Sequence, residues 1–219
     1  MYTTIALAPM NLPVNPSQPN DASSIPVLPQ GYPLSDDREA VQIAAAQAGD
    51  LAAFNQLILP YETVAFSLAL RMLRQEQRAD DVVQASFINA YQTIKTFTGG
   101  SFKCWLLRIV SNGSFDQLRK GQHTLFNHLN RRVERKVLLL SPTELLERAI
   151  NTIPPDLRMA LLLRDVHSQS CEEVAMITAT SLDTVKLQLS RARSLVCAYL
   201  AGTVFPPALS IGVPPPQVR

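Results

Sequence analysis

The sequence predicts an all-α protein: two small helical domains joined by a linker and flanked by proline-rich tails. Three observations predict it. Apolar residues recur at helical spacing through most of the stretch from 36 to 201, and no alternating pattern persists long enough for a sheet. Twelve of the 16 prolines lie in the two ends, seven in residues 1–35 and five in 202–219, where they remove backbone donors and push their predecessors away from helix. Residues 121–142 form a basic stretch without long apolar periodicity, including Arg131 to Lys136, and they separate the two helical blocks. The expected divisions are a disordered arm over 1–35, a helical domain over 36–120, a linker over 121–142, a helix-turn-helix domain over 143–201 and a disordered tail over 202–219.

Composition narrows the function. With 47% hydrophobic residues the chain can bury a core, and with a net charge of +2 it is not a polyanion binder as a whole, so any nucleic-acid surface must be local. No apolar run approaches the ~18 residues of a membrane span. No Lys or Arg precedes Arg38, so the basic segment of a secretory signal is missing and a cytoplasmic location is expected. Cys104, Cys171 and Cys197 lack CxxC spacing, and His123, His128 and His167 are scattered; neither a metal site nor a disulfide framework is expected. Phosphate-loop, dinucleotide, serine-hydrolase and zinc-protease motifs are missing, so no catalytic residue, cofactor or enzyme activity is assigned.

Taken in order, Asp36 to Ile58 reads as two helices broken at Gly49, with Asp50 capping the second. Tyr61 to Leu73 gives a largely buried helix. Arg78 to Phe97 gives an amphipathic one, with Val82, Val83, Ala85, Ala90 and Ile94 near one face and Asp80, Asp81, Gln84 and Asn89 polar. Thr98 to Ser101 is a loop. The helix after it interleaves Lys103, Arg108, Arg119 and Lys120 with Phe102, Trp105 and Phe115, a mixture suited to single-stranded DNA, although Trp105 also fits a core stripe with Leu106, Ile109 and Val110. Gly113 inside this helix costs about 1 kcal/mol relative to Ala and signals a need for a missing side chain. Thr143 to Ile153 is helical, Pro154 and Pro155 break it, and Asp156 opens a helix toward Val166.

Ser170 to Arg193 then reads as a helix-turn-helix. Ser170 and Glu173 form a possible capping box, Thr178 to Ser181 interrupt, and Leu182, Val185, Leu189, Ala192 and Val196 share the buried face of the second helix. Thr184, Leu187, Gln188 and Arg191 lie opposite, flanked by Lys186 and Arg193, as a helix placed in a DNA major groove requires. From these residues alone an ordinary helical hairpin with a solvated charged face stays equally open.

Two blocks in order resemble one family. Ala79 to Asn112 is similar to the second conserved region of sigma-70 class sigma factors of the extracytoplasmic-function group, and residues 153–175 with LDTVKLQLSRAR are similar to the fourth. The resemblance implies a dissociable initiation subunit without catalytic residues, whose partners are core RNA polymerase, promoter DNA as duplex and melted strand, and an anti-sigma protein. It implies that Asp80, Asp81, Val82 and Gln84 dock on a coiled coil of the polymerase. It assigns Phe97, Trp105, Asn112 and the loop from Phe97 to Phe102 to minus-10 DNA, with Lys103, Arg108, Arg119 and Lys120 on nearby backbone. It assigns Thr184, Lys186, Leu187, Gln188, Ser190, Arg191 and Arg193 to the minus-35 element. Ala85 stands where Glu is usual, Asp183 replaces a frequent Gly, and Leu187 and Gln188 replace Ser and Arg, so an altered minus-35 preference is expected. A stand-alone helix-turn-helix regulator and a sigma-like decoy that only binds an anti-sigma protein are the alternative functions.

Overall fold

The computed structural model describes residues 37–125 and 141–204, and among them every regular element is helical. The first domain opens with α1 (Asp37–Gln47), which stops where Gly49 turns to φ 102°. Asp50 caps α2 (Leu51–Ile58) by accepting from the Ala52 and Ala53 amides at 2.8 and 3.1 Å. Two donors without an intrahelical partner are thereby satisfied. α3 (Glu62–Leu73) ends at Arg74, whose left-handed backbone lets its amide donate to Leu70 O at 2.7 Å. α4 (Glu76–Thr93) starts two residues before the Arg78 read from the sequence, because Gln75 is extended and Glu76 already lies in the first turn.

A 3-10 turn, Ile94–Thr96, and two positive-φ glycines, Gly99 and Gly100, carry the chain into α5 (Phe102–Leu125). Gln47 fastens this connection, its Nε2 donating to Phe97 O at 2.8 Å and Ile94 O at 3.1 Å. α3, α4 and α5 pack on one another around Phe54, Leu68, Met72, Phe87 and Leu106, none more than 1% exposed. Burying each such side chain contributes about 1.5–3 kcal/mol. On α4 the inward residues are Val82, Val83, Ser86, Phe87 and Ala90, while Ala85, expected near that face, is exposed. Helical spacing explains the change: Ala85 lies one residue before Ser86, about 100° round the axis. α5 runs beyond Lys120 to Leu125; the Arg131 to Lys136 run and the arm over 1–35 lie outside the described residues.

The second domain starts with α6 (Pro142–Thr152), opened by proline at its first position and a capping box between Ser141 and Glu144. Pro154 ends it. α7 (Pro155–Leu161) continues into a π-helical turn, Leu162–Val166, in which the His167 amide donates to Leu162 O at 2.9 Å. The sequence did not suggest this widened turn. α8 (Cys171–Thr178) and α9 (Leu182–Val204) complete the domain, with α6 and α7 packed on α9. α9 passes Ala201, since no proline intervenes before Pro206, and the rest of the tail lies outside the described residues.

Candidate nucleic-acid interface

α8 and α9 form the helix-turn-helix. Ser170 Oγ accepts from the Glu173 amide at 3.1 Å while Glu173 Oε2 accepts from the Ser170 amide at 2.7 Å, a reciprocal cap that fixes where α8 begins. Ala179 ends it in the left-handed conformation, φ 55°, and the Thr180 amide donates back to Ala175 O at 3.1 Å. This turn sets the direction of α9. Ser181 Oγ then accepts from the Thr184 amide at 3.1 Å.

Along α9 the sidedness read from the sequence is present. Val185, Leu189, Ala192 and Val196 are buried and Leu182 is half-buried, while Thr184, Lys186, Leu187, Ser190, Arg191 and Arg193 are exposed. Gln188 is half-buried, and its Oε1 is buried without a hydrogen-bond partner. Arg193 is not a loose cation: its Nε and Nη2 donate to both Asp165 oxygens, at 3.0 and 2.7 Å, and this pairing pushes the guanidinium pKa up. A bidentate pair fixes the plane of the guanidinium. Arg164, Lys186 and Arg193 line a cleft of about 510 Å³ beside the start of α8.

The first domain treats its expected site residues unequally. Asp80, Asp81 and Gln84 are exposed on α4, whereas Val82 is 8% exposed and serves the core. Phe97 and Trp105, expected against DNA, lie in the core at 5% and 3% exposure. Phe97, Phe102 and Trp105 pack on one another at ring-centroid distances of 5.5 to 5.8 Å, and Tyr61 joins Phe102 at 6.0 Å. The physical reason is that edge-to-face and tilted packing satisfies these rings among themselves, leaving no free face for a base in this arrangement. Arg108 is also buried, and desolvation pushes its pKa down. Lys103 is half-buried, with its Nζ 3.9 Å from Glu173 on α8. Asn112, Arg119 and Lys120 remain exposed farther along α5, Arg119 paired with Asp116.

Some residues that shape the site were not legible in the sequence. Arg158, 8% exposed, donates to Asn151 O at 2.9 Å, Ile153 O at 3.1 Å and, across the domains, Met72 O at 3.2 Å. Arg71 reaches from α3 to Glu147 on α6. Ser111 Oγ lies 3.5 Å from Met159 Sδ, and α8 packs along α5. Only a basic residue one position after an apolar one marks Arg158 in the sequence, which is no signal of burial. Among the described residues no group of His, Cys, Asp and Glu is arranged to hold a metal, and no helix is long and apolar enough to cross a membrane.

A helix-turn-helix with an exposed, partly basic second helix, attached to a helical bundle, defines a two-module DNA-binding protein. Residues 57–124 match the family Sigma-70 region 2, and residues 143–196 match Sigma-70, region 4. The chain is 31% identical over 176 residues to the extracytoplasmic-function RNA polymerase sigma-E factors of Salmonella typhimurium and Escherichia coli, covering 72% of this chain and 92% of theirs. It is 29% identical over 183 residues to the RNA polymerase sigma-H factor of Pseudomonas aeruginosa, covering 74% of this chain and 94% of that one. In fold it is similar to CnrH, solved in complex with the cytosolic domain of CnrY (TM-score 0.57, 24% identity, 76% of this chain and 99% of that one). It is likewise similar to the sigma factor RpoE of Bartonella quintana, solved with the anti-sigma factor NepR (TM-score 0.55, 23% identity, 67% and 96%). The chain belongs to the sigma-70 family, in its extracytoplasmic-function group, whose members are transcription initiation factors and not enzymes.

Proposed function

We propose that the protein lends promoter choice to core RNA polymerase in the cytoplasm: it docks through α4, engages melted minus-10 DNA through α5 and reads the minus-35 element through α9. The observation that carries this reading is the presence, in one chain and in family order, of an α4 with exposed Asp80, Asp81 and Gln84 and an α9 with exposed Lys186, Leu187, Ser190 and Arg191. A stand-alone regulator has no use for the first.

On α4, two carboxylates and an amide on successive turns offer a polar stripe to a basic helix. On α9, Lys186 and Arg191 suit phosphates, while Leu187, half exposed, suits a thymine methyl. Asp165 positions Arg193 so that its remaining N–H donors point from a fixed plane. The first domain's Asn112, Arg119 and Lys120 are the residues of α5 open to DNA in this arrangement, and Phe97, Trp105 and Arg108 would join them only after a rearrangement. An anti-sigma protein is a fitting regulator, because one solved protein of similar fold, the sigma factor RpoE of Bartonella quintana, carries one.

Transcription from core polymerase programmed with this protein tests the reading. Defined start sites are expected. Asp81→Arg should abolish them together with polymerase association, and Leu187→Ser with Gln188→Arg should reorder promoter strengths while leaving association intact. Transcripts that persist in Asp81→Arg would remove α4 from the docking role, and an unchanged promoter ranking would remove Leu187 and Gln188 from base reading.

A further inference from the structure

The loop expected against minus-10 DNA is short and held at both ends. Ser101 fixes its exit: its Oγ accepts from the Cys104 amide at 3.3 Å and its carbonyl from the Trp105 amide at 3.1 Å, which sets where α5 begins. Phe97 fixes its entry. The Phe97 amide donates to Ile94 O at 3.0 Å and Phe97 O accepts from Gln47 Nε2 at 2.8 Å, while the ring packs with Phe102 and Trp105. Between these ends lie Thr98, Gly99 and Gly100. The two glycines take φ 121° and 93°, and a Cβ added to either would meet nothing within 4 Å, so the space beside them is open.

Gln47 comes from α1, 50 residues before Phe97 in the sequence. It lies one turn after the buried Ile43 and so ends the inward stripe of α1 with an amide, where that helix packs on the 94–96 turn. The last carbonyls of a helical segment lack intrahelical donors. Here the Gln47 amide nitrogen serves both Ile94 O and Phe97 O. Gln47 precedes the 57–124 match to region 2 and belongs to none of the sites assigned above. We propose that Gln47 is a positioning residue for capture of the melted minus-10 strand: by holding the Ile94 and Phe97 carbonyls it gives the Thr98 to Ser101 loop one shape before the strand arrives. The inference rests on the assignment of that loop and α5 to minus-10 DNA. A loop already in its bound shape loses less freedom on binding, so it holds the strand more tightly than a loop without that support. The device needs a donor. Glutamate has the same outline as Gln47 but would face two carbonyl oxygens with acceptors only, whereas lysine keeps N–H donors on a longer stem.

Holoenzyme assembled from the full chain and purified core RNA polymerase tests this on a promoter taken from a mapped start site, supplied as duplex and with its minus-10 segment held open by mismatches. The readout is the lifetime of the polymerase–promoter complex against a heparin challenge. On both templates Gln47→Glu should shorten that lifetime by about fivefold or more, the scale of one hydrogen bond, with polymerase association unchanged, and Gln47→Lys should restore most of it. Tyr91→Phe is the control for loosening the same corner. It removes the hydroxyl that donates to Gly49 O at 3.0 Å, just after Gln47, but leaves the loop untouched and keeps the ring against Phe54, so its complexes should last as long as the parent's. An unchanged lifetime in Gln47→Glu, an equal loss in Tyr91→Phe, or a Gln47→Lys no better than Gln47→Glu would overturn the positioning role and leave the minus-10 assignment standing. A chain that yields no start site, or a parent complex whose lifetime is unmoved by base replacement across the minus-10 segment, would remove that assignment and the role of Gln47 with it.

Discussion

Replacing Gly113 with alanine sets two effects of known size against each other. In an unobstructed helix the change stabilises by about 1 kcal/mol, because glycine loses more backbone freedom on folding. At Gly113, however, α5 lies so close to α4 that an added Cβ would sit 3.1 Å from Ser86 Oγ and 3.2 Å from Val82 Cγ1. The serine hydroxyl can rotate, but Val82 is β-branched and held to one rotamer in a helix, so α4 itself must shift by a few tenths of an ångström. Overpacking of this kind costs about 1–3 kcal/mol. The expected net result is a loss of about 1 kcal/mol, read as a lower urea midpoint at unchanged slope. Gly202→Ala is the matched control, since nothing lies within 4 Å of its added Cβ on α9, and it should be neutral or stabilising. Adding Val82→Ala should shrink the Gly113→Ala penalty by at least about 0.5 kcal/mol, as coupled neighbours do. If Gly113→Ala instead gains as much as Gly202→Ala, the close approach of α4 and α5 is refuted.

Two further predictions concern the seam between the domains. Arg158→Met removes the charged donor from the carbonyls of Met72, Asn151 and Ile153 and should destabilise by about 3 kcal/mol in urea unfolding, with Arg158→Lys recovering only part because one ammonium cannot span all three; a loss below about 1 kcal/mol would show those hydrogen bonds to be dispensable. His167, whose Nε2 is buried without a partner, is held below its ordinary pKa of 6.5, first by desolvation and then by the Arg71 and Lys103 charges. A depressed folded pKa means that the unfolded chain binds the proton more tightly. The stability contributed is present in full above about pH 6.5 and is lost as the pH falls from there through the lower folded value. His167→Gln should flatten that part of the stability curve between pH 7.5 and 5.5, and an unchanged slope would assign the acid sensitivity elsewhere.

The sequence by itself determined the helices and the faces of the recognition helix. Periodicity at Val185, Leu189, Ala192 and Val196, the Ser170–Glu173 cap and the Pro154–Pro155 break are local properties, each settled by the backbone within a turn or two, and residue order alone carries them. The need for a missing side chain at Gly113 was legible for the same reason, though its partners Ser86 and Val82 were not. Only the tertiary structure decided which aromatic and basic residues of α5, and of the turn before it, face solvent. Phe97, Trp105 and Arg108 carry no mark that separates a buried stripe from a DNA-contacting one, because both use the same residue types at the same spacing; the difference lies in what packs against them. The same holds for Arg158 and Met72, which are 86 residues apart in sequence, and for Arg71 and Glu147, 76 apart. Contacts at such separation depend on how two domains meet, and periodicity within one helix holds no record of that.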